Sequence, residues 1–390
     1  MFCSRFSVTF PSEKLFTLGK VQRNLTFLSI FYNFATKMKI QRYFYVVCAF
    51  LCLVGCTGVA NDSHEDGESR RGDTLRTKSS QAAVDKGNQP AVDDMSEKDV
   101  MVFTPQWMAQ AQFAGYYVAE AKGFYREAGV NVRIEHPSPT SPAISRLRNG
   151  QCQATTMQLC QALEVVDGGI PLVNILQTSM NNAMVIVSAR DKNPLTQKGG
   201  RVGIWSVDFG QLAICMSIKD HLDYQWVRFA QNINLFVAGA LDATLAMSYN
   251  EYYQLVQAGI EMNDKNVYRF CDHGYNVQED GVYMTRDYYE KHSEQAKRFA
   301  QASRKGWEWT ASHPDEALDI VMEYVNRDHV ASNEVMQRLM LQEVLRLQAD
   351  RESKKREFRL RPDMVRLASQ LMVEYQMLSR EIKYEELIDN

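Results

Sequence analysis

The sequence predicts an α/β chain of two lobes with a helical C-terminal end. Three observations carry that reading. From Asp99 onward, short β-rich runs alternate with helical segments; a polar stretch at 188–200 interrupts the alternation, which then starts afresh; and after Thr285 the pattern is almost wholly helical. A strand–helix rhythm of this kind implies mainly parallel sheets covered on both faces.

The elements follow in order. Residues 100–103 (VMVF) read as a strand, followed by a loop through Pro105 and Trp107. Residues 112–122 form a helix that Gly123 ends, in the usual glycine position just past a helix. Alternation of apolar and polar residues over 130–134 marks a strand, and a short helix over 142–149 stops at Gly150. A strand at 154–157, a helix to Asp167 and strands at 172–177 and 183–187 complete the first set. The second set runs through a strand at 201–205, a helix at 212–221, a strand at 225–229, a helix near 232–238 and a strand at 243–247. Residues 281–285 read as a return strand, Pro314 opens one late helix and Pro362 breaks into the last. The expected lobes are therefore 99–188 for the first part of lobe 1, 189–280 for lobe 2, and 281–390 for the return to lobe 1 with the C-terminal helices.

The first hundred residues read as address and tether. Lys39 and Arg42 precede an apolar run over 43–54 that ends in Gly55 and Cys56. That is the pattern of a signal peptide over 38–55, and Leu53, Val54, Gly55 and Cys56 look like a bacterial lipobox whose cysteine is lipidated. The run is short for a membrane span, which takes roughly 20 apolar residues. Residues 1–37 then read as an upstream over-extension before a better start at Met38. Residues 56–98, rich in Ser, Asp, Glu, Gly and Lys, lack the apolar surface to order themselves and read as a flexible tether. A lipid-anchored position on the extracytoplasmic face of a bacterial envelope follows.

Composition removes several classes of function. The 390 residues carry 44 Lys+Arg against 47 Asp+Glu, a formal net charge of −3, which argues against a dedicated nucleic-acid binder. Eight cysteines with no C-x-x-C pair argue against a disulfide scaffold and a structural zinc site. The sequence holds no H-E-x-x-H helix, no G-x-S-x-G elbow, no P-loop and no dinucleotide fingerprint. Cys271, Asp272 and His273 put three reactive types side by side, yet neighbours along a chain rarely converge on one reacting atom. No catalytic residue, metal or cofactor is expected.

Residues 107–119 (WMAQAQFAGYYVA) followed by 122–132 (KGFYREAGVNV) resemble the opening of solute-binding proteins of the NMT1/THI5-like family. Residues 199–205 (GGRVGIW), 234–243 (NLFVAGALDA), 249–253 (YNEYY) and 313–317 (HPDEA) are similar to further blocks of that family, in the same order. The resemblance covers roughly 99–340. It implies a type II periplasmic-binding-protein fold, in which two lobes close on one ligand and deliver it to the permease subunits of an ABC importer, and a monomer is expected. Members of the family bind thiamin pyrimidine precursors, flavins, or small sulfonates and related anions. One branch is a pyrimidine synthase that consumes its own histidine and carries a cysteine-rich motif; here Phe113 aligns with the histidine and no cysteine cluster lies near Cys215. The rival readings are such an enzyme of pyrimidine biosynthesis, or a ligand sensor for a membrane kinase.

A cleft for a flat heteroaromatic ligand needs stiff aromatic side chains and a few placed donors and acceptors. Trp107, Trp205 and Tyr249 each fall at the carboxyl end of an expected strand, where ligands collect in open parallel sheets; the competing reading is core packing. Asn250 and Glu251 present an amide and a carboxylate to a ring, or else cap a helix. Asp208, in a strand-to-helix loop, faces the cleft and disfavours an anion there, or is an ordinary N-cap. Gln112 and Tyr116 share a helix face by the i, i+4 rule and face the cleft, although Phe113 and Tyr117 have the same spacing.

Overall fold

The computed structural model describes residues 100–189, 192–205, 209–229 and 233–389. The expected signal peptide, Cys56, the tether and Asp208 lie outside the described residues.

The strand–helix rhythm folds into two five-stranded sheets. The first has the order β2-β1-β3-β10-β4, built from β1 (Met101–Thr104), β2 (Val132–Ile134), β3 (Ala154–Gln158), β4 (Leu172–Gln177) and β10 (Asp280–Thr285). Its helices are α1 (Ala114–Ala121), α2 (Phe124–Glu127), α3 (Ala143–Arg148) and α4 (Leu159–Asp167). The second sheet has the order β7-β6-β8-β5-β9, from β5 (Met184–Ser188), β6 (Arg201–Ile204), β7 (Gln225–Arg228), β8 (Ala243–Met247) and β9 (Val267–Arg269). With it run α5 (Gln211–Lys219), α6 (Asn234–Val237) and α7 (Glu251–Gln257).

Each sheet has one strand that enters from the other lobe, and in both cases it is antiparallel. Strand β10 pairs antiparallel with β3 and β4, and β5 pairs antiparallel with β8 and β9. The geometry follows from connectivity: a chain arriving across the gap runs against strands whose carboxyl ends face that gap. The sheets are thus mixed rather than mainly parallel. Strand β5 also belongs to the second sheet, so the chain crosses at 178–183, one strand earlier than the polar stretch at 188–200 suggests. An apolar run such as MVIVS marks a buried strand, but periodicity carries no information about which sheet receives it.

The two crossings are fastened to each other. The carbonyl of Asp280 accepts from the backbone N–H of Thr178 at 2.9 Å, and buried Glu279 accepts from Asn182 Nδ2 and the Ala183 N–H, both at 2.9 Å. Burial drives the Glu279 carboxyl well above its ordinary value.

Four helices complete the chain: α8 (Arg286–Ser312), α9 (Pro314–Arg327), α10 (Glu334–Leu347) and α11 (Pro362–Glu374). Helix α8 packs on α1, with fully buried Trp307 seated against Gly115. A methyl group on Gly115 would overlap the indole, so glycine is required for this approach. Helix α10 reaches both lobes: Gln337 Oε1 accepts from the Ala111 N–H at 2.7 Å, and Glu343 Oε1 accepts from Ser248 Oγ at 2.6 Å. The C-terminal segment also binds the crossings, since the Leu347 carbonyl accepts from the Met180 N–H at 3.0 Å and Gln278 Nε2 donates to the Arg359 carbonyl at 3.1 Å.

Candidate functional site

The carboxyl ends of β1, β3, β6 and β8 converge on one cleft between the sheets. The loop after β1 supplies Gln106, Trp107 and Gln110; β3 ends in Gln158; β6 leads to Trp205 and Phe209; β8 leads to Tyr249, Asn250 and Glu251. The cleft as it stands leaves about 40 Å³ of water-accessible space and opens to solvent. Trp107 from the first lobe meets Phe209 from the second edge to face, with ring centroids 5.7 Å apart and planes at 84°. The lobes therefore stand closed on one another at this point. Among the described residues, no lysine or arginine lines the cleft.

Both wall tryptophans are held from behind. Trp205 donates its indole N–H to Glu251 Oε1 at 2.8 Å, while Glu251 Oε2 accepts from the Met247 N–H at 3.0 Å. Both carboxylate oxygens are thus engaged by the protein. Glu251 is buried, and that burial raises its pKa. Trp107 is held through its carbonyl, which accepts from His136 Nδ1 at 2.6 Å, and the other ring nitrogen of His136 faces the Tyr117 hydroxyl at 2.8 Å. A carbonyl only accepts, so Nδ1 carries the proton and Nε2 accepts from the tyrosine. Burial holds the His136 imidazole below its ordinary pKa, in keeping with this neutral tautomer.

A polar floor lies under the aromatic walls. Asp280, at the start of β10, accepts from Gln106 Nε2 at 2.8 Å through Oδ1 and from Gln112 Nε2 at 2.6 Å through Oδ2. A carboxylate cannot donate, so it fixes both amides with their NH₂ groups turned toward it. Gln112 Oε1 then accepts from Gln110 Nε2 at 2.6 Å, whereas Gln106 Oε1 is a buried acceptor with no partner. Burial pushes the Asp280 carboxyl up to about 6, against the two amide hydrogen bonds that lower it.

The structure brings together Trp107, Gln112, Trp205, Tyr249, Asn250 and Glu251. Gln112 reaches the cleft from a 3₁₀ turn, Ala111–Phe113, and not from the α-helix expected there. Tyr116 is a correction: it is 1% exposed, its ring 4.8 Å from Phe103 and 5.6 Å from Trp307 in the first-lobe core. The i, i+4 argument fails because the 3₁₀ turn advances the chain at about three residues per turn before α1 begins. Asn250 stands at the N-terminus of α7 without a side-chain capping bond; its Oδ1 accepts from Gln254 Nε2 at 2.9 Å. Gln106, Gln110, Gln158, Phe209 and Asp280 are missed by sequence reasoning. Gln106 and Phe209 had a signal, since they are the sequence neighbours of Trp107 and Asp208; Asp280 had none.

Two α/β lobes exchanging one strand each, with a cleft at their facing strand ends, make this a protein of the periplasmic-binding-protein fold. The chain belongs to the NMT1/THI5-like family, whose sequence profile matches residues 110–317. It is similar to the formylaminopyrimidine-binding protein of Halalkalibacterium halodurans, at 22% identity over 60% of this chain and 72% of that one. It is also similar to the riboflavin-binding protein RibY of Chloroflexus aurantiacus, at 25% identity over 61% of this chain and 70% of that one. Among solved structures, the ligand-binding component of an ABC-type import system from Staphylococcus aureus superposes with a TM-score of 0.57 at 8% identity, covering 75% of this chain and 96% of that one. The aliphatic sulphonate-binding protein SsuA of Escherichia coli superposes at 0.54 with 12% identity, over 74% and 97%.

Proposed function

We propose that this chain is the extracytoplasmic solute-binding lipoprotein of an ABC importer, and that it takes a small, uncharged heteroaromatic nutrient such as a thiamin pyrimidine precursor or a flavin-like vitamin. The observation that carries this reading is the cleft itself: Trp107, Trp205 and Tyr249 around a floor whose unpartnered acceptor, Gln106 Oε1, suits an N–H donor of the ligand such as an exocyclic amine. Aromatic faces stack on a flat ring, and a buried acceptor selects ligands that donate to it. A sulfonate finds no described cation in the cleft, which argues against an anionic ligand despite the sulfonate-binding fold relatives. The relatives named for a pyrimidine and a flavin support the same ligand class.

In this reading Trp107 and Phe209 part to admit the ring and meet again when the lobes close. Closure helps transport only if the ligand prefers the closed form, and the ring does so by touching both lobes at once. The closed body is what the permease subunits recognise, with residues 56–98 as tether and the lipid on Cys56 as anchor. The chain acts as a monomer and catalyses nothing.

Thermal-shift titration with riboflavin and with 4-amino-5-hydroxymethyl-2-methylpyrimidine tests the proposal. A ligand at about 100 times its dissociation constant adds roughly 2.7 kcal/mol of stability. No shift with either compound, together with a clear shift from an alkanesulfonate, would overturn the ligand class.

A further inference from the structure

Behind the cleft lies a second, inner cavity that shares Gln112 and Tyr249 with it. Thr178 and Ser179 from one crossing and Glu279 and Asp280 from the other form its near side. Its far wall comes from the end of α10, as Val344, Leu347 and Gln348. Those three residues lie beyond the stretch 110–317 that the family profile matches, so this wall is built by the chain's own C-terminal helices.

Gln348 is the anomaly of this wall. It is 2% exposed, and neither its Nε2 nor its Oε1 has a hydrogen-bond partner. Burying a donor and an acceptor unmatched is costly, and native proteins leave few such atoms. A leucine would fill much of the same space beside Val344 and Leu347 without that cost. An amide placed here is therefore suited to meet a group that both donates and accepts. The cavity admits about one water-sized group, which sets the size of what can enter.

We propose that the inner cavity is a subsite for a short arm of the ligand, a hydroxymethyl-sized group that donates to and accepts from the Gln348 amide. This rests on the reading of the cleft as the ring site. The ring lies among Trp107, Trp205 and Tyr249, and the arm passes Gln112 and Tyr249 to reach Gln348. A long polyhydroxyl chain does not fit this space, so the subsite favours a small substituted pyrimidine over a flavin with its sugar-alcohol tail.

Two pyrimidines differing in one hydroxyl test the subsite: 4-amino-5-hydroxymethyl-2-methylpyrimidine and 4-amino-2,5-dimethylpyrimidine. Calorimetric titration of the wild-type protein is expected to favour the hydroxymethyl compound by about tenfold, the factor that about 1.4 kcal/mol produces. In Gln348→Leu that preference should vanish while the dimethyl compound binds as before, and Gln348→Met gives the same readout if the leucine variant folds poorly. An undiminished preference in either folded variant, or no preference in the wild type, overturns the subsite alone. Failure of the wild type to bind either pyrimidine sinks the subsite together with the ring site it depends on.

Discussion

Trp205 and Glu251 form one unit: the indole N–H donates to the carboxylate at 2.8 Å, and the same carboxylate accepts the Met247 N–H at 3.0 Å with its other oxygen. A wall tryptophan from the end of β6 is thereby locked to the segment that follows β8, and the plane of its ring is fixed before any ligand arrives.

Glu251→Gln tests that lock. One amide oxygen can serve Trp205 or Met247 but not both, so an NH₂ group must face an N–H donor. Leaving a buried donor unmet costs about 1–3 kcal/mol. The variant should melt a few degrees lower, and its affinity for 4-amino-5-hydroxymethyl-2-methylpyrimidine should fall. A variant with unchanged melting and unchanged affinity would show that the carboxylate fixes nothing.

Asp280 should make both stability and ligand choice depend on pH. Its carboxyl is raised by burial from the ordinary 3.8 to about 6, so the folded state holds the proton more tightly than the unfolded state. The contribution is therefore fully present below about pH 4 and is lost as pH rises through about 6, a change on the order of 3 kcal/mol. Glu251 and Glu279 are raised in the same direction and add to the slope. In Asp280→Asn the melting temperature should change less across this window than in the wild type. The asparagine NH₂ also needs an acceptor, and Gln106 supplies it most readily because its Oε1 has no other partner. Gln106 would then turn an NH₂ group to the cleft, and binding of the aminopyrimidine at pH 7.5 should weaken about tenfold or more. Unaltered binding in a folded variant would mean that Gln106 does not read the ring.

Trp107 and His136 separate touching from positioning. Trp107→Ala removes a stacking face, and aromatic pairs contribute about 0.5–1.5 kcal/mol beyond their buried area, so affinity should drop about tenfold or more, with partial rescue in Trp107→Phe. His136→Ala leaves the indole in place but removes the donor to the Trp107 carbonyl, a net hydrogen bond of about 0.5–1.5 kcal/mol. It should lower the melting temperature and weaken binding less than Trp107→Ala does. Equal losses of affinity in the two variants would place His136 against the ligand itself.

The walls of the cleft are legible in the sequence because their position follows from a rule: side chains at the carboxyl ends of strands face the gap, and Trp107, Trp205 and Tyr249 stand there. The floor is not legible in the same way. Asp280 reads as one polar residue before an apolar strand, and nothing in its spacing ties it to Gln106 and Gln112, more than 160 positions away. Only the antiparallel entry of β10 beside β3 brings them together. Tyr116 shows the opposite failure, since a correct spacing rule applied across a 3₁₀ turn points a core residue at the cleft. The helical character after Thr285 is visible in the sequence, with Pro314 and Pro362 marking two of the helices, but a helical pattern does not name the surface it covers.

That surface includes the crossing between the lobes, and Asn181 shows how tightly it is held. Its Nδ2 donates to the Leu347 carbonyl at 3.1 Å and the Ala349 carbonyl at 2.8 Å, and its Oδ1 accepts from Asn276 Nδ2 at 3.2 Å. One side chain thus joins both crossings to the end of α10. Asn181→Ala leaves the Leu347 carbonyl its Met180 and Asn181 N–H donors but strips the Ala349 carbonyl and Asn276 Nδ2 of a partner, and should cost about 1–3 kcal/mol. Hydrogen exchange should then quicken at residues 178–183 and over the last turn of α10, while the core of α8 around Trp307 keeps its protection. If exchange rises evenly through both lobes instead, Asn181 supports the whole fold and not the link between its halves.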